Sequence, residues 1–272
     1  MSDVLFGGPA DRADEPRAPT DMRVLITVKA APNPSEKHGE TVCVAGLRLD
    51  PGAEGWVRLY PINFRFIESD HVFRKYDVVS LHAVPASEGR RESWRPRIDS
   101  LRRETHLDDW RRRMPHLGPF AHDTMCELND GAKGGRSLGL VKAQAVSRLE
   151  VVPHPGWSAE EQRKIDNYIN QPELFDAGKP KTALQAPRFR ATYHWRCPAT
   201  ACKGHAQGLL DWEFTAFQRR LPANNEMAIQ TIRQKWFAQM CSPDRDVYFY
   251  VGNQAKRHQT FSILGVVYPR RR

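Results

Sequence analysis

The stretch that decides the N-terminal fold runs from Glu40 to Ile62 and reads ETVCVAGLRLDPGAEGWVRLYPI. Two apolar, β-branched segments, residues 40–49 and 55–62, flank a short DPGAEG segment that is typical of a turn. The stretch therefore predicts two strands. Similar segments at 23–30 and 76–84 predict two more. Short strands joined by loops rich in turn residues indicate a small closed or half-closed β-barrel.

The rest of the chain mixes helical and strand patterns, so we expect an α+β protein. The segment 137–152 predicts one long strand or two strands that close the first half, and residues 188–197 alternate as a half-buried strand with a basic outer face. A helical hairpin and two closing strands are expected after it. The expected parts are a disordered tail (1–21), a β-rich domain (22–152), a helix and linker (153–187) and a basic α+β domain (188–272).

Charge and cysteine usage limit the classes of function. The net charge is +9, and residues 151–272 hold 18 Lys and Arg against 10 Asp and Glu. A basic half predicts an anionic partner, most often nucleic acid, although solubility alone is an alternative. Five scattered cysteines do not form a disulfide framework and favour a reduced, cytoplasmic protein. No apolar run is long enough for a membrane span, so no membrane partner is expected.

The segment HWRCPATACKGH, residues 194–205, predicts a metal-binding knuckle. Cys197, Cys202 and His205 have a spacing that zinc accepts. We expect Cys241 as the fourth ligand because it follows a helix that returns towards the knuckle, and His194, three residues before Cys197, is the local alternative. An iron–sulfur cluster is the alternative cofactor. A turn that binds no metal is the third interpretation.

Catalytic residues are only weakly indicated. Asp211 and Glu213 flank Trp212, and with His205 they are the candidates for acid–base or metal-dependent chemistry. Residues two apart on a helix point in different directions, which argues against joint action of Asp211 and Glu213. A structural role is the alternative, because a carboxylate near a helix N-terminus interacts favourably with the helix dipole. None of the common nucleophile, phosphate-loop or kinase motifs occurs.

The order of VCVAG, GWVRLYPI, ESWRPR, CPATACKGH and DVYFYVGN along the chain resembles a family of largely uncharacterised bacterial proteins. The first two motifs are also similar to dual OB-fold domain proteins linked to prokaryotic defence or mobile elements. The resemblance implies that the domain at 22–152 is an OB-like small β-barrel. It also implies that aromatic and basic side chains of that domain contact nucleic acid.

These observations predict a non-enzymatic protein that binds single-stranded or structured DNA or RNA and has a structural metal site, in a setting of anti-phage defence. The expected contacts are Arg190, Arg196, Lys203, Arg219, Arg220, Trp56, Arg58 and Tyr60. A metal-dependent nuclease or nucleotide hydrolase is one alternative. A protein-interaction subunit of a defence operon is the other.

Overall fold

A computed structural model describes residues 18–35, 39–62, 72–86, 90–131, 136–170, 182–254 and 257–271. The predicted tail lies almost entirely outside these ranges, although the first strand already begins at Thr20. Within the described ranges, helices and strands are mixed, which confirms the α+β class. Each helix there is too short or too polar to cross a lipid bilayer.

The first half forms a closed five-stranded β-barrel, here called the N-terminal barrel. Its strands follow the order β1-β3-β4-β6-β5, and β5 pairs with β1 to close it. The β4–β6 pair is parallel, whereas the other pairs are antiparallel. Two short strands, β2 and β7, add to its edges. The seven strands are β1 (Thr20–Lys29), β2 (Asn33–Ser35), β3 (Gly39–Arg48), β4 (Gly55–Ile62), β5 (Asp77–Pro85), β6 (Ser93–Pro96) and β7 (Arg102–His106).

Strands β1 and β3 are buried on both faces, which explains their nearly continuous apolar sequence. In β3, Val42 and Val44 point into the barrel core, while Ala45 and Leu47 pack outward against the second half of the chain. Gly46 lies between Ala45 and Leu47, where there is no space for a larger residue. A Cβ at Gly46 would lie 2.4 Å from the backbone oxygen of the paired strand β1.

The second half, here called the C-terminal unit, contains two three-stranded sheets and most of the helices. The strand orders are β8-β12-β13 and β9-β10-β11. Helix α1 (Trp110–Leu117) connects the barrel to this unit. The elements of the unit are α2 (Met125–Asp130), β8 (Leu138–Lys142), β9 (Ala145–Pro153), α3 (Ala159–Asn170), β10 (Phe189–Arg196), β11 (His205–Gly208), α4 (Trp212–Gln218), α5 (Asn225–Arg233), β12 (Tyr248–Gln254) and β13 (Arg257–Val267). A π-helical segment, Gln234–Gln239, extends α5.

The two sheets share one bent strand and meet again at a bridge. Ala143 donates its N–H to Val247, and the next residue, Gln144, donates to Arg196, so β8 and β9 form one chain segment that changes sheets at this bend. On the other side, a parallel bridge joins Leu209 at the end of β11 to Ile263 of β13. The strand pairing therefore encloses a single core in the C-terminal unit.

The pairing changes the expected division of the chain. Residues 137–152 were predicted to close the first half, but β8 pairs with β12 and β9 pairs with β10, both in the second half. Strand periodicity shows that a segment is extended and half-buried. It carries no information on which strand becomes its neighbour, and this is why the expected boundary at residue 152 falls inside the C-terminal unit.

An apolar interface joins the N-terminal barrel to the C-terminal unit. Its buried residues come from both sides, Leu25, Val28, Ala45, Leu47 and Val78 from the first and Leu138, Leu140, Tyr250, Leu264 and Val267 from the second. Trp56 packs edge-on against Phe120 and Tyr250, with ring centroids 6.0 and 6.2 Å apart. The backbone of Ala31 also donates to Leu210 across the interface at 3.0 Å. The two parts are consequently packed as one body.

Candidate metal centre

Four metal-ligating side chains converge at one edge of the C-terminal unit. The Sγ atoms of Cys126, Cys197 and Cys202 and a ring nitrogen of His205 all lie within 4.8 Å of one another. Cys197 and Cys202 belong to the loop between β10 and β11, His205 is the first residue of β11, and Cys126 lies on α2. This Cys126–Cys197–Cys202–His205 cluster could bind a metal ion.

The distances in the cluster are close to those of a tetrahedral site. The Sγ atoms of Cys126 and Cys197 are 3.7 Å apart, and His205 Nε2 lies 3.2 Å from the Sγ of Cys202, 3.3 Å from that of Cys197 and 3.9 Å from that of Cys126. Around a tetrahedral zinc ion, bond lengths of about 2.3 Å to sulfur and about 2.0 Å to nitrogen separate the ligand atoms by roughly 3.5–3.8 Å. Small adjustments of the side chains would therefore complete the coordination.

The β10–β11 hairpin positions three of the four ligands. Trp195 pairs with His205 across the hairpin, and their rings pack with centroids 5.0 Å apart. Within the loop, Cys202 donates its backbone N–H to Ala199 at 3.0 Å, which tightens the turn. Gly204 has φ +101°, a conformation that side chains with a Cβ rarely adopt. This local geometry directs both thiols and the imidazole to the same point.

The short helix α2 supplies the fourth ligand. Thr124 and Glu127 form a capping box at its N-terminus, with the Glu127 N–H donating to the Thr124 hydroxyl at 3.1 Å. Met125 and Leu128 are fully buried in the core of the C-terminal unit. Anchored in this way, α2 turns Cys126 towards the hairpin.

The expectation that Cys241 is the fourth ligand is corrected by this geometry. In the described ranges, Cys241 is not part of the cluster, and its thiol donates to the carbonyl of Trp236 at 3.9 Å. Burial raises the pKa of the Cys241 thiol to about 12, as expected for an apolar pocket. Cys126 was not predicted as a ligand because it lies 71 residues before Cys197 in the sequence. The Thr124–Glu127 capping pattern was the one indication that a short helix carries it.

The electrostatics of the cluster favour an ionised thiol at one position. Burial opposes ionisation of Cys197, but hydrogen bonds from His205 and the Ala199 backbone outweigh it and lower the pKa of this thiol to about 6. Burial and the neighbouring thiols raise the pKa of Cys126 to about 12. A bound cation would offset the charge of the Cys197 thiolate and favour ionisation of a second thiol.

The two carboxylates proposed for catalysis have structural partners. Asp211 is the N-cap of α4 and accepts from the Glu213 N–H at 2.6 Å. Buried Lys75 lies 3.6 Å from Asp211 and 3.4 Å from Glu213. Burial raises the pKa of the Asp211 carboxyl to about 6. Burial also opposes the charge of Lys75, but interactions with Tyr76, Asp211 and Glu213 outweigh it and raise the pKa of Lys75. His205 belongs to the Cys126–Cys197–Cys202–His205 cluster, so the three candidates do not form one catalytic group.

The predicted nucleic-acid contacts separate into exposed and buried residues. Five are exposed on the C-terminal unit, namely Arg190, Arg196, Lys203, Arg219 and Arg220. Tyr60 is 38% exposed, and its hydroxyl lies 3.3 Å from that of Thr41.

Trp56 and Arg58 were predicted to contact nucleic acid, but they take part in internal packing instead. Trp56 packs within the interface between the two parts of the molecule. Arg58 is 4% exposed and donates to the hydroxyl of Ser137 at 2.8 Å. The resemblance to nucleic-acid-binding barrels did not indicate that the C-terminal unit covers the barrel face that carries Trp56 and Arg58.

Two packed β-rich units with a Cys3His cluster define the class of this protein. Residues 121–272 match the family model of a domain of unknown function (DUF8757), and residues 20–119 match that of a second domain of unknown function (DUF8758). Because the first match spans more than half of the chain, the protein belongs to the DUF8757 family. All four cluster residues lie inside this match. A comparison with curated proteins finds no match.

Proposed function

We propose that the protein binds nucleic acid through an exposed basic stripe, Arg190, Arg196 and Lys203, on an OB-like C-terminal unit. The observation that carries the proposal is the alternation along β10. Phe189, Ala191, Tyr193 and Trp195 are buried, whereas the residues between them face outward. In the described part of the chain, no acidic side chain forms an ion pair with any of the three stripe residues. Their charge is thus available to an external anion.

The strand order of both parts supports an OB-like fold. In the N-terminal barrel, β1, β3, β4, β5 and β6 are the first to fifth strands, and their order is first-second-third-fifth-fourth with a parallel third–fifth pair. In the C-terminal unit, the bent β8–β9 segment, β10, β11, β12 and β13 repeat this order, and a parallel bridge again joins the third and fifth strands. Five strands in this order form the Greek-key barrel typical of OB folds.

The position of the basic stripe agrees with the binding face of OB folds. These folds contact oligonucleotides on the face of their second and third strands and on the loops that join the first strand to the second and the fourth to the fifth. Arg190 and Arg196 are on the second strand of the C-terminal unit, and Lys203 is in the loop that leads to the third. Gln218 accepts from the backbone of Phe189 at 2.9 Å, so the exposed Arg219 and Arg220 adjoin the Arg190 end of the stripe.

We further propose that the cluster holds a structural zinc ion. Three thiols and one imidazole form a closed four-ligand set, and Cys197 and Cys202 are buried. A two-iron cluster distributes its ligands over two metal atoms, so ligands on different irons lie farther apart than around a single ion. Donor atoms that all lie within 4.8 Å of each other therefore favour one ion. The ion would connect α2 to the β10–β11 hairpin.

Fluorescence anisotropy tests the binding proposal with labelled single- and double-stranded DNA and RNA at about 50 and about 200 mM salt. The wild type is expected to bind at least one of the four, with an affinity that falls steeply with salt. The triple variant Arg190→Gln, Arg196→Gln, Lys203→Gln is expected to bind more weakly. Its salt slope should be smaller by about 0.7–0.9 for each phosphate contact that is lost.

The matched control carries the same change of charge elsewhere. Arg97, Arg103 and Arg163 are exposed and lie on other elements, and their replacement by Gln should leave binding close to that of the wild type. Equal losses in the two triple variants would mean that only net charge matters. Absence of binding to all four nucleic acids would reject the proposal and favour a protein-interaction role.

A further inference from the structure

A second candidate site lies between the N-terminal barrel and the C-terminal unit, and neither the Cys126–Cys197–Cys202–His205 cluster nor the basic stripe lines it. It is a cavity of about 420 Å³, within the range of roughly 300–1,000 Å³ that is usual for small-molecule sites. Both parts of the molecule contribute to its walls. The lining residues used below are Lys29, Arg74, Lys75, Tyr76, Trp110, Arg113, Trp212 and Tyr268.

Positive charge dominates this inter-unit cavity. Glu213 is the one carboxylate that lines it among the described residues, and it lies 3.4 Å from Lys75. Lys75 also lies 3.6 Å from buried Asp211, so the surplus of positive charge comes from the other cations of the lining. Arg113 donates to the neutral carbonyls of Leu107 and Asp108 at 2.7 and 2.9 Å, which fix the guanidinium without cancelling its charge. Arg74 is exposed at the rim of the cavity. Its hydrogen bond to Asp77 is made by the backbone N–H and not by the guanidinium. An anion would complement this surplus.

The lining of the cavity also contains aromatic rings. Trp110 packs edge-on against Tyr268 and Tyr76 at centroid distances of 5.5 and 5.6 Å, and the Arg113 guanidinium lies 3.9 Å from the centre of the Tyr76 ring. Lys29 lies 5.5 Å from the centre of the Trp212 ring. Trp110, Trp212 and Tyr268 are each partly exposed. Rings next to cations suit a planar aromatic group that carries negative charge.

Two further observations distinguish this cavity from an ordinary cleft. Tyr76 has φ +69°, a strained conformation for a residue with a Cβ, and such strain is concentrated at functional sites. Burial lowers the pKa of Lys29 to about 8, although Glu213 and Asp77 favour its charged form. A partly desolvated ammonium group gains more from a bound anion than one in water does.

We propose that the inter-unit cavity binds a phosphorylated nucleoside. The phosphate would lie among Lys29, Arg74 and Arg113, and the base would pack against the partly exposed rings. The same chemistry occurs in a free nucleotide and in one nucleotide of a strand, and competition experiments separate these two sources.

Isothermal titration calorimetry tests the proposal with the four ribonucleoside 5′-monophosphates, the matching nucleosides and inorganic phosphate. At least one monophosphate is expected to bind about tenfold or more tightly than its nucleoside and than phosphate. Failure of all monophosphates to bind would overturn the proposal. Phosphate binding as tight as that of the best monophosphate would overturn it as well, because the rings would then contribute nothing.

Variants locate the binding site. Arg74→Gln, at the exposed rim, and Arg113→Gln are each expected to weaken monophosphate binding about tenfold or more, the usual worth of a hydrogen bond to a charged group. Arg97→Gln and Arg163→Gln are matched controls with no expected effect. Thermal melting verifies that Arg113→Gln is folded, and Arg74→Gln provides the test without touching a buried group. Unchanged affinity in Arg74→Gln and in folded Arg113→Gln would overturn the proposal.

A competition experiment between the monophosphate and a labelled strand identifies the source of the nucleotide. It also tests the cavity separately from the basic stripe. If the monophosphate displaces a labelled strand, the cavity takes a nucleotide of that strand; if it binds without displacement, the ligand is a free nucleotide. Either result supports the cavity. The basic-stripe triple variant should bind the monophosphate like the wild type, so loss of strand binding there and loss of nucleotide binding in Arg74→Gln are separate failures.

Discussion

Replacement of Cys126 by serine is the sharpest test of the metal centre, because this ligand comes from a different element than the other three. Structural zinc sites contribute about 10–16 kcal/mol of apparent binding free energy at neutral pH. Divided evenly over four ligands, this is roughly 2.5–4 kcal/mol each, which corresponds to a loss of affinity of about 10²- to 10³-fold. Cys126→Ser should therefore release its metal to a chelator that leaves the wild type loaded.

The assay is elemental analysis of purified protein followed by zinc release against a chelator of known affinity, with thermal melting in parallel. Cys241→Ser is the matched control. Its thiol contacts the Trp236 carbonyl rather than the cluster, so metal content and affinity should equal those of the wild type. Zinc bound by Cys126→Ser with wild-type affinity would refute the four-ligand geometry. Zinc loss in Cys241→Ser alone would restore the ligand set expected from the sequence.

Three further predictions concern the fold. Lys75→Met removes the cation from buried Asp211 and should lower the free energy of unfolding by about 3–5 kcal/mol in urea titrations, whereas adding Asp211→Asn should recover part of the loss. Burial lowers the pKa of Lys29 from 10.5 to about 8, so between these values the unfolded chain binds more protons at this lysine. Its contribution to stability should rise with pH across that window, and denaturation of Lys29→Met should lack the rise. Gly46→Ala should destabilise by about 3 kcal/mol or more through its clash with β1, whereas Gly55→Ala, with open space, should be tolerated; melting curves of equal midpoint would contradict this.

Local patterns predicted most of the elements. The strands on either side of the DPGAEG turn appear as β3 and β4, and the alternation of residues 188–197 appears as β10. Spacing alone identified Cys197, Cys202 and His205 as three residues that lie together, but it did not predict β11, which follows the loop. These features depend on neighbours in the sequence, so a single sequence contains the information for them.

Features that depend on distant contacts were not predictable in this way. Cys126 joins the cluster because Met125 and Leu128 anchor α2 on a core formed mainly by strands far along the chain. Arg58 alternates like a surface residue, yet Ser137 of the C-terminal unit accepts its hydrogen bond. The partner strands of residues 137–152 were misassigned for the same reason, because strand pairing is set by the whole sheet.

The two-sided burial of β1 and β3 has a consequence for inheritance of the gene. Residues 20–119 and 121–272 match separate family models, yet both contribute to the apolar face formed around Leu25, Leu47, Leu140 and Leu264. A polypeptide that ended between the two regions would present this face to water, at a cost in solubility. Natural selection should therefore disfavour gene fissions at this junction, and the two regions should be inherited as a pair.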